Sequence, residues 1–283
     1  MIHKSLLCML AIATMMASCN SKKPSSSLDD EDEEDVVELE FKKFTYEKTE
    51  GICAVTIQAD YPVSGDEEVV KSIREYLRDA MGGDEMVNLN EDGDNLLSDA
   101  GDRRMETVRE ASGDVDEEYI NSVYIHESLS HAYENDNYIT IIDEQEEYLG
   151  GAHEINYQGG ATFSKYTGKR FDESMLKTGS SDFNRLLIEG LKRYFCETDN
   201  VESITDDELK DYLLTVDALD NIPMPGMGIY LSAKGVVFTY QPYEISYYAA
   251  GLPQFTVTFK DIKPFLTKAG KRFIEGDDED VDD

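Results

Sequence analysis
Basic residues are scarce in this sequence: 26 Lys and Arg stand against 60 Asp and Glu, a formal net charge of −34. That shortage argues against a nucleic-acid partner, because phosphate binding needs clustered cations, and it favours a cationic one. Four cysteines in 283 residues exclude a disulfide-stapled miniprotein. No apolar run beyond the first twenty residues is long enough to cross a bilayer as a helix. Nucleophile and phosphate-binding signatures are missing too, with no G-x-S-x-G and no phosphate-cradling glycine loop. Among so many carboxylates, pairs suited to glycoside hydrolysis can be drawn anywhere and distinguish nothing. The apolar residues, 40% of the chain, exclude full disorder and suffice for one sizeable core or two small ones.

At the N-terminus, Lys4 precedes an apolar run from Leu6 to Ala17, and Met16-Ala17-Ser18-Cys19 has the small-residue approach of a cleavage site. A cysteine directly after the small pair is a bacterial lipobox pattern, so residues 1–18 read as a lipoprotein signal peptide and Cys19 as the acylated new N-terminus. Lipid at Cys19 is then the expected membrane anchor. Residues 19–35 read as a disordered tether ending in seven consecutive acids, and residues 275–283 as an acidic tail. Between them, residues 36–274 still hold 46 acids and 23 bases. The acidity therefore belongs to the folded surface as well as the tails.

Apolar periodicity in this middle region predicts an α+β fold of two consecutive units, each a mainly antiparallel sheet packed with helices. The first unit, residues 36–147, opens with two strand-like runs broken at Glu50-Gly51, followed by a helix that Ser64-Gly65-Asp66-Glu67 would start as a capping box. A weaker helix is expected around Met105 to Ala111, then strands carrying Val123, Ile125, Leu129 and Tyr133, and Tyr138 to Ile142. The second unit, residues 148–274, is expected to begin with a strand over 157–166. Its helix carries Phe183, Leu186, Leu187, Leu191, Tyr194 and Phe195 on one stripe, and Thr205-Asp206-Asp207-Glu208 forms a second capping box. Cys53 falls on the apolar face of a strand and Cys196 opposite the stripe of its helix, so the two thiols are expected to diverge and stay unpaired.

Two metal patterns are visible and both are poor. His126 and His131 stand five apart, where the helical zinc motif needs four, and on a strand they point to opposite faces. Asn88-x-Asn90-x-Asp92-Gly93, with Asp99 at the twelfth position, has the oxygen spacing of a calcium loop. It is a weak candidate, since two of the first three ligands are neutral amides and the last is the shorter Asp. No cofactor is expected. Gln241-Pro242-Tyr243-Glu244-Ile245-Ser246-Tyr247-Tyr248-Ala249-Ala250-Gly251 supplies three tyrosines after a strand, either as a binding surface or as a loop closing the core.

Three segments carry a family resemblance: Tyr148-Leu149-Gly150-Gly151-Ala152-His153, Gln241 to Gly251, and Phe255-Thr256-Val257-Thr258-Phe259-Lys260-Asp261-Ile262-Lys263-Pro264. Together they resemble the paired extracytoplasmic domains of the RsiV-like family, which occur in a lysozyme-sensing anti-sigma factor and in a peptidoglycan deacetylase. The resemblance spans roughly residues 40–268, with its specific motifs after residue 148. It implies a two-part α+β fold and recognition of lysozyme or of the cell wall. Neither a sigma-binding segment nor a deacetylase domain is apparent in this sequence, so the resemblance brings no enzyme activity with it. Matching motif positions nominate Gly150, Gly151, His153, Tyr243, Tyr247 and Tyr248 as binding residues. The expectation is a non-enzymatic lipoprotein of the bacterial envelope that binds a cationic protein such as lysozyme or a wall glycan. Its alternatives are a peptidoglycan-acting envelope enzyme and a purely structural lipoprotein.

Overall fold
The structure, a computed structural model, describes residues 38–83, 93–113, 122–214 and 218–276. The signal peptide, Cys19, the acidic tether and most of the acidic tail lie outside these residues, as do Asn88, Asn90 and Asp92.

Strands β1 (Glu40–Glu50) and β2 (Cys53–Ser64) form an antiparallel hairpin whose turn uses Gly51 at φ 61°. Helix α1 (Glu67–Ala80) buries Val69, Val70, Ile73 and Leu77, each contributing roughly 2 kcal/mol of apolar burial. Its N-cap is Asp66, whose carboxylate accepts from the backbone N–H groups of Glu68 and Val69. The expected Ser64–Glu67 capping box is not formed, because β2 runs on through Ser64 and that hydroxyl donates to Glu40 instead. Helix α2 (Gly93–Ser112) is also longer than its sequence suggested. Its buried stripe includes Gly93, Ala100 and Gly101, which carry little apolar signal. A Cβ on Gly101 would lie 2.4 Å from the Tyr46 ring, so aromatic side chains of the hairpin fill what the helix leaves empty. The helical start at Gly93 also opposes the calcium reading, since a twelve-residue loop ending at exposed Asp99 would be helical from its sixth position onward.

Strands β3 (Val123–Glu134), β4 (Tyr138–Tyr148) and β5 (Ile155–Ser164) complete a five-stranded sheet in the order β1-β2-β3-β4-β5. The β2–β3 pair is parallel and the other three are antiparallel. Helices α1 and α2 lie in the β2-to-β3 connection and share a core with the inward face of the sheet, with Val55, Ile57, Val123, Ile125 and Ile141 buried. Because strand side chains alternate, the opposite face carries Thr56, Gln58, His126, Glu144 and Gln158, exposed or half-buried. The domain boundary at 147/148 falls inside the β4–β5 hairpin: β5 pairs with β4 over its whole length, and Ala161 and Phe163 belong to the first core.

The C-terminal part holds α3 (Ser181–Asp199), α4 (Asp206–Tyr212) and a three-stranded antiparallel sheet of β6 (Ile229–Leu231), β7 (Gly235–Thr239) and β8 (Gln254–Thr258). Two short helices follow, α5 (Phe259–Ile262) and α6 (Lys268–Glu275). The predicted stripe of α3 places Phe183, Leu187, Leu191 and Phe195 in a second core with Phe238, Phe255 and Val257. The Thr205–Glu208 capping box is fully made. At the junction of the two sheets, the Thr140 hydroxyl donates to the Leu231 carbonyl and the Leu231 N–H donates to the Thr162 hydroxyl, each at 2.8 Å. The two hydroxyls meet at 2.8 Å, closing a buried ring of hydrogen bonds. Cys53 and Cys196 are unpaired, the first buried against α2 and the second half-buried on α3. No helix among the described residues is long and apolar enough to cross a membrane.

Candidate binding surface
The loop after β7 is fixed by its own polar side chains. Glu244 accepts from the backbone N–H groups of Gln241 at 2.7 Å and Gly226 at 2.6 Å. The Gln241 amide pairs in both directions with the Gln158 backbone, accepting at 3.1 Å and donating at 2.7 Å, and so extends the β5 edge by one side chain. Ile245 and Ala250 enter the second core, and the Tyr194 hydroxyl donates to the Ala250 carbonyl at 2.5 Å. The loop thus closes the core through Ile245 and Ala250. Its tyrosines do not join that closure. Tyr243, at φ 65° and 56% exposed, occupies a backbone region that bulky side chains rarely adopt, and Tyr247 is 37% exposed.

The β4–β5 turn brings the other motif to this loop. Gly150 and Gly151 take φ values of 90° and 122°, which permit the bend, and the Tyr148 hydroxyl donates to the Gly151 carbonyl at 3.0 Å. His153 then lies flat on Tyr248, with ring centroids 3.5 Å apart and planes 14° from parallel. The Tyr248 hydroxyl donates to the Glu154 carbonyl, and its ring stands 6.0 Å from that of Tyr243. The structure therefore joins Gly151, His153, Tyr248 and Tyr243 at one surface. Tyr247 makes no ring contact with them, and Gly150 acts only through the bend.

A second group of rings lies on the open face of the large sheet. Tyr124 stacks on His126 at 4.7 Å and stands 6.2 Å from Tyr148. Its hydroxyl donates to Glu146 at 2.7 Å; that bond, with some burial and the nearby Glu146 and Glu154 charges, pushes the Tyr124 pKa up to about 12. Beside these rings runs an open groove of about 650 Å³ lined by Thr56, Gln58, His126, Glu144, Glu146 and Gln158, reaching Leu252 beyond the tyrosine loop. Aromatic faces beside unneutralised carboxylates suit a cationic side chain, which gains from both the ring quadrupole and the charge. His131 does not line the groove; its Nε2 lies 3.2 Å from the Glu134 carboxylate. Among the described residues, no group of three or more His, Cys, Asp or Glu could hold a metal ion.

Two ionisable residues escaped the sequence analysis. Glu127 and Asp143 are 3% and 9% exposed on the inward face of the sheet. Their signal was available: Glu127 is in phase with Val123, Ile125 and Leu129, and Asp143 with Ile139 and Ile141, so each acid stands where the alternation calls for an apolar residue.

Residues 173–260 match the family model described as "Protein of unknown function (DUF3298)", the domain found in RsiV-like proteins. The match runs from the turn before α3 into α5. Two solved structures share the fold over most of the chain. A DUF3298 family member from Bacteroides fragilis is 18% identical, with 86% of this chain and 98% of that one covered and a TM-score of 0.66. A DUF3298 family protein from Pseudomonas aeruginosa is 12% identical, with 83% and 96% covered and a TM-score of 0.51. No curated protein matches the chain.

Proposed function
We propose that this chain is a non-catalytic, lipid-anchored binding protein of the bacterial envelope, and that it takes a strongly basic protein such as lysozyme on the aromatic and acidic surface described above. One observation carries the reading. Two motif segments about ninety residues apart in sequence meet in the His153–Tyr248 stack, on a body whose residues 36–274 hold twice as many acids as bases. Long-range attraction would draw a basic partner, and salt would slow its arrival as the Debye length falls from ~10 Å at 0.1 M to ~3 Å at 1 M. Charge alone holds any cation, so specificity has to come from packed ring contacts.

Surface plasmon resonance in physiological salt tests this, with lysozyme as ligand and cytochrome c as a similarly basic control. A folded Tyr243→Ala plus Tyr248→Ala variant should raise the lysozyme off-rate at least tenfold, while Tyr247→Ala, outside the ring cluster, should leave it nearly unchanged. Equal binding of lysozyme and control would reduce the effect to nonspecific charge. Absence of lysozyme binding, together with retention on purified peptidoglycan, would replace the protein ligand with a wall glycan. The anchor is tested separately by fractionation, where Cys19→Ala should move the protein from membranes to the soluble fraction.

A further inference from the structure
A second cavity, of about 480 Å³, lies between α1 and the inward side of β4 and β5, with Tyr76, Asp143, Gly160, Phe163, Arg170 and Met227 among its lining residues. Its opening beside Asp143 depends on a missing side chain. The residue paired with Asp143 across the β4–β5 ladder is Gly159, and a Cβ there would come within 2.8 Å of the Met227 terminal methyl. Asp143 is 9% exposed, lines this cavity, and receives no hydrogen bond from any described residue. Buried carboxylates are normally satisfied by a hydrogen-bond donor, so one that lines a cavity without a donor marks a place for a ligand.

Charge balance says which kind. Glu127, on the neighbouring strand and the same face, is ion-paired with Arg104 at 3.3 Å and feels Arg103 as well. Arg104 gives its hydrogen bond to Glu127 and reaches Asp143 only through space, so the Asp143 carboxylate has no donor of its own among the described residues. Arg170 also lines the cavity and keeps its charge, its Nη2 donating to the Gly160 carbonyl at 3.3 Å and its guanidinium covering the Tyr76 ring at 5.1 Å. Glu75 and Asp79 at the rim add negative charge, Asp79 being held by Arg78 at 2.6 Å. Glu144 adds further negative charge from the adjacent position of β4, and the Tyr230 hydroxyl from β6 is taken by Gln254. Phe163, Met227, Ala80 and the Tyr76 ring supply apolar wall, with Ser72 beside them.

We propose that this cavity binds a small organic monocation, a primary ammonium or amidinium group on a short apolar stem, with the Asp143 carboxylate as its counter-ion. Burial and the neighbouring Glu127 push the Asp143 pKa up to about 7, with Arg104 opposing and Glu144 adding to the rise. The cation selects the ionised form. Apparent affinity therefore falls as pH drops below 7, and binding releases a proton on the acid side.

Calorimetric titration of the full chain with benzylamine, with benzyl alcohol as the neutral isostere, tests the assignment. From the ionised fraction of a group titrating near 7, binding at pH 5.5 should be about 30-fold weaker than at pH 8. Asp143→Asn should abolish it. Glu197→Gln, which makes the same change in net charge on α3, should leave it intact. Binding that is independent of pH, equal binding of benzyl alcohol, or equal loss in the two variants would overturn the proposal, as would absence of binding at pH 8. The pH ratio is measured on the unaltered chain, so the test stands even if Asp143→Asn folds poorly.

Discussion

Replacing Asp143 by Asn should stabilise the protein, and the gain should grow with pH. In the unfolded chain the carboxyl titrates near its ordinary value of 3.8, whereas in the fold burial and Glu127 push it up to about 7. Below both values it is protonated in both states and adds no penalty. Between them the folded state keeps a proton that the unfolded state releases, so stability falls as pH rises; above the folded value the loss is complete and constant. The shift corresponds to about 4 kcal/mol in full, of which about 3 kcal/mol falls between pH 5 and pH 8. Asn preserves the shape and cannot ionise, so it escapes this loss. Urea denaturation of both proteins at pH 5, 6, 7 and 8, with m-values checked for constancy, gives the comparison directly. Titration of the many surface acids is common to both proteins and drops out of the difference. A stability difference that stays flat from pH 5 to pH 8 would refute the reasoning and mean that Asp143 is ionised across that range in the fold.

Other substitutions probe other parts of the structure. Arg104→Met should cost about 3–5 kcal/mol at pH 8, because it strands Glu127 without its ion-pair partner inside the core; a change below 1 kcal/mol in urea would show that the pair is not what holds that carboxylate. Gly190→Ala gains helix propensity yet should still destabilise by about 1–3 kcal/mol, since its Cβ would lie 2.2 Å from the Phe255 ring. A rise in melting temperature for that variant would mean that the ring yields freely. Thr205→Ala removes the capping box of α4 and should cost about 1 kcal/mol, read from the denaturation midpoint.

Much of this architecture was legible in the residues, and the exceptions share a cause. The β1–β2 hairpin, α3 and the Thr205 cap follow from local pattern: alternation around Gly51, a 3.6-residue stripe, and a hydroxyl three residues ahead of Glu208. What escaped depends on contacts distant in sequence. The parallel pairing of Cys53–Ala59 with Val123–Leu129 spans two helices, and no local signal reports it. The stripe of α2 interleaves Leu96, Leu97, Met105 and Val108 with Gly93, Ala100 and Gly101, because Phe44, Tyr46 and Tyr61 of the hairpin supply bulk against the glycines. The assignment of β5 to the first sheet could not be read from its own alternation, which fits either partner. At the candidate surface, sequence analysis nominated His153 and Tyr248 separately, while their stacking is a property of the fold alone. Glu127 and Asp143 are the reverse case, breaks in alternation that the residues themselves display.

The ring formed by Thr140, Thr162 and Leu231 bears on how the chain reaches this structure. Strand β6 is only three residues long, and the outward-facing N–H and C=O of Leu231 are completed by hydroxyls from the other sheet, across 69 and 91 residues of sequence. Neither half can dry its edge until the other is in place. The two cores should therefore melt in one cooperative transition, with coincident midpoints by near-ultraviolet and far-ultraviolet dichroism. Folding should be slow for the chain's size, because closure of these long loops precedes the contacts that reward it. A fragment cut at residue 173, where the DUF3298 match begins, would retain Leu231 but lose both threonines. Such a fragment would present two bare backbone groups beside an apolar face, a template for pairing with a second copy of itself.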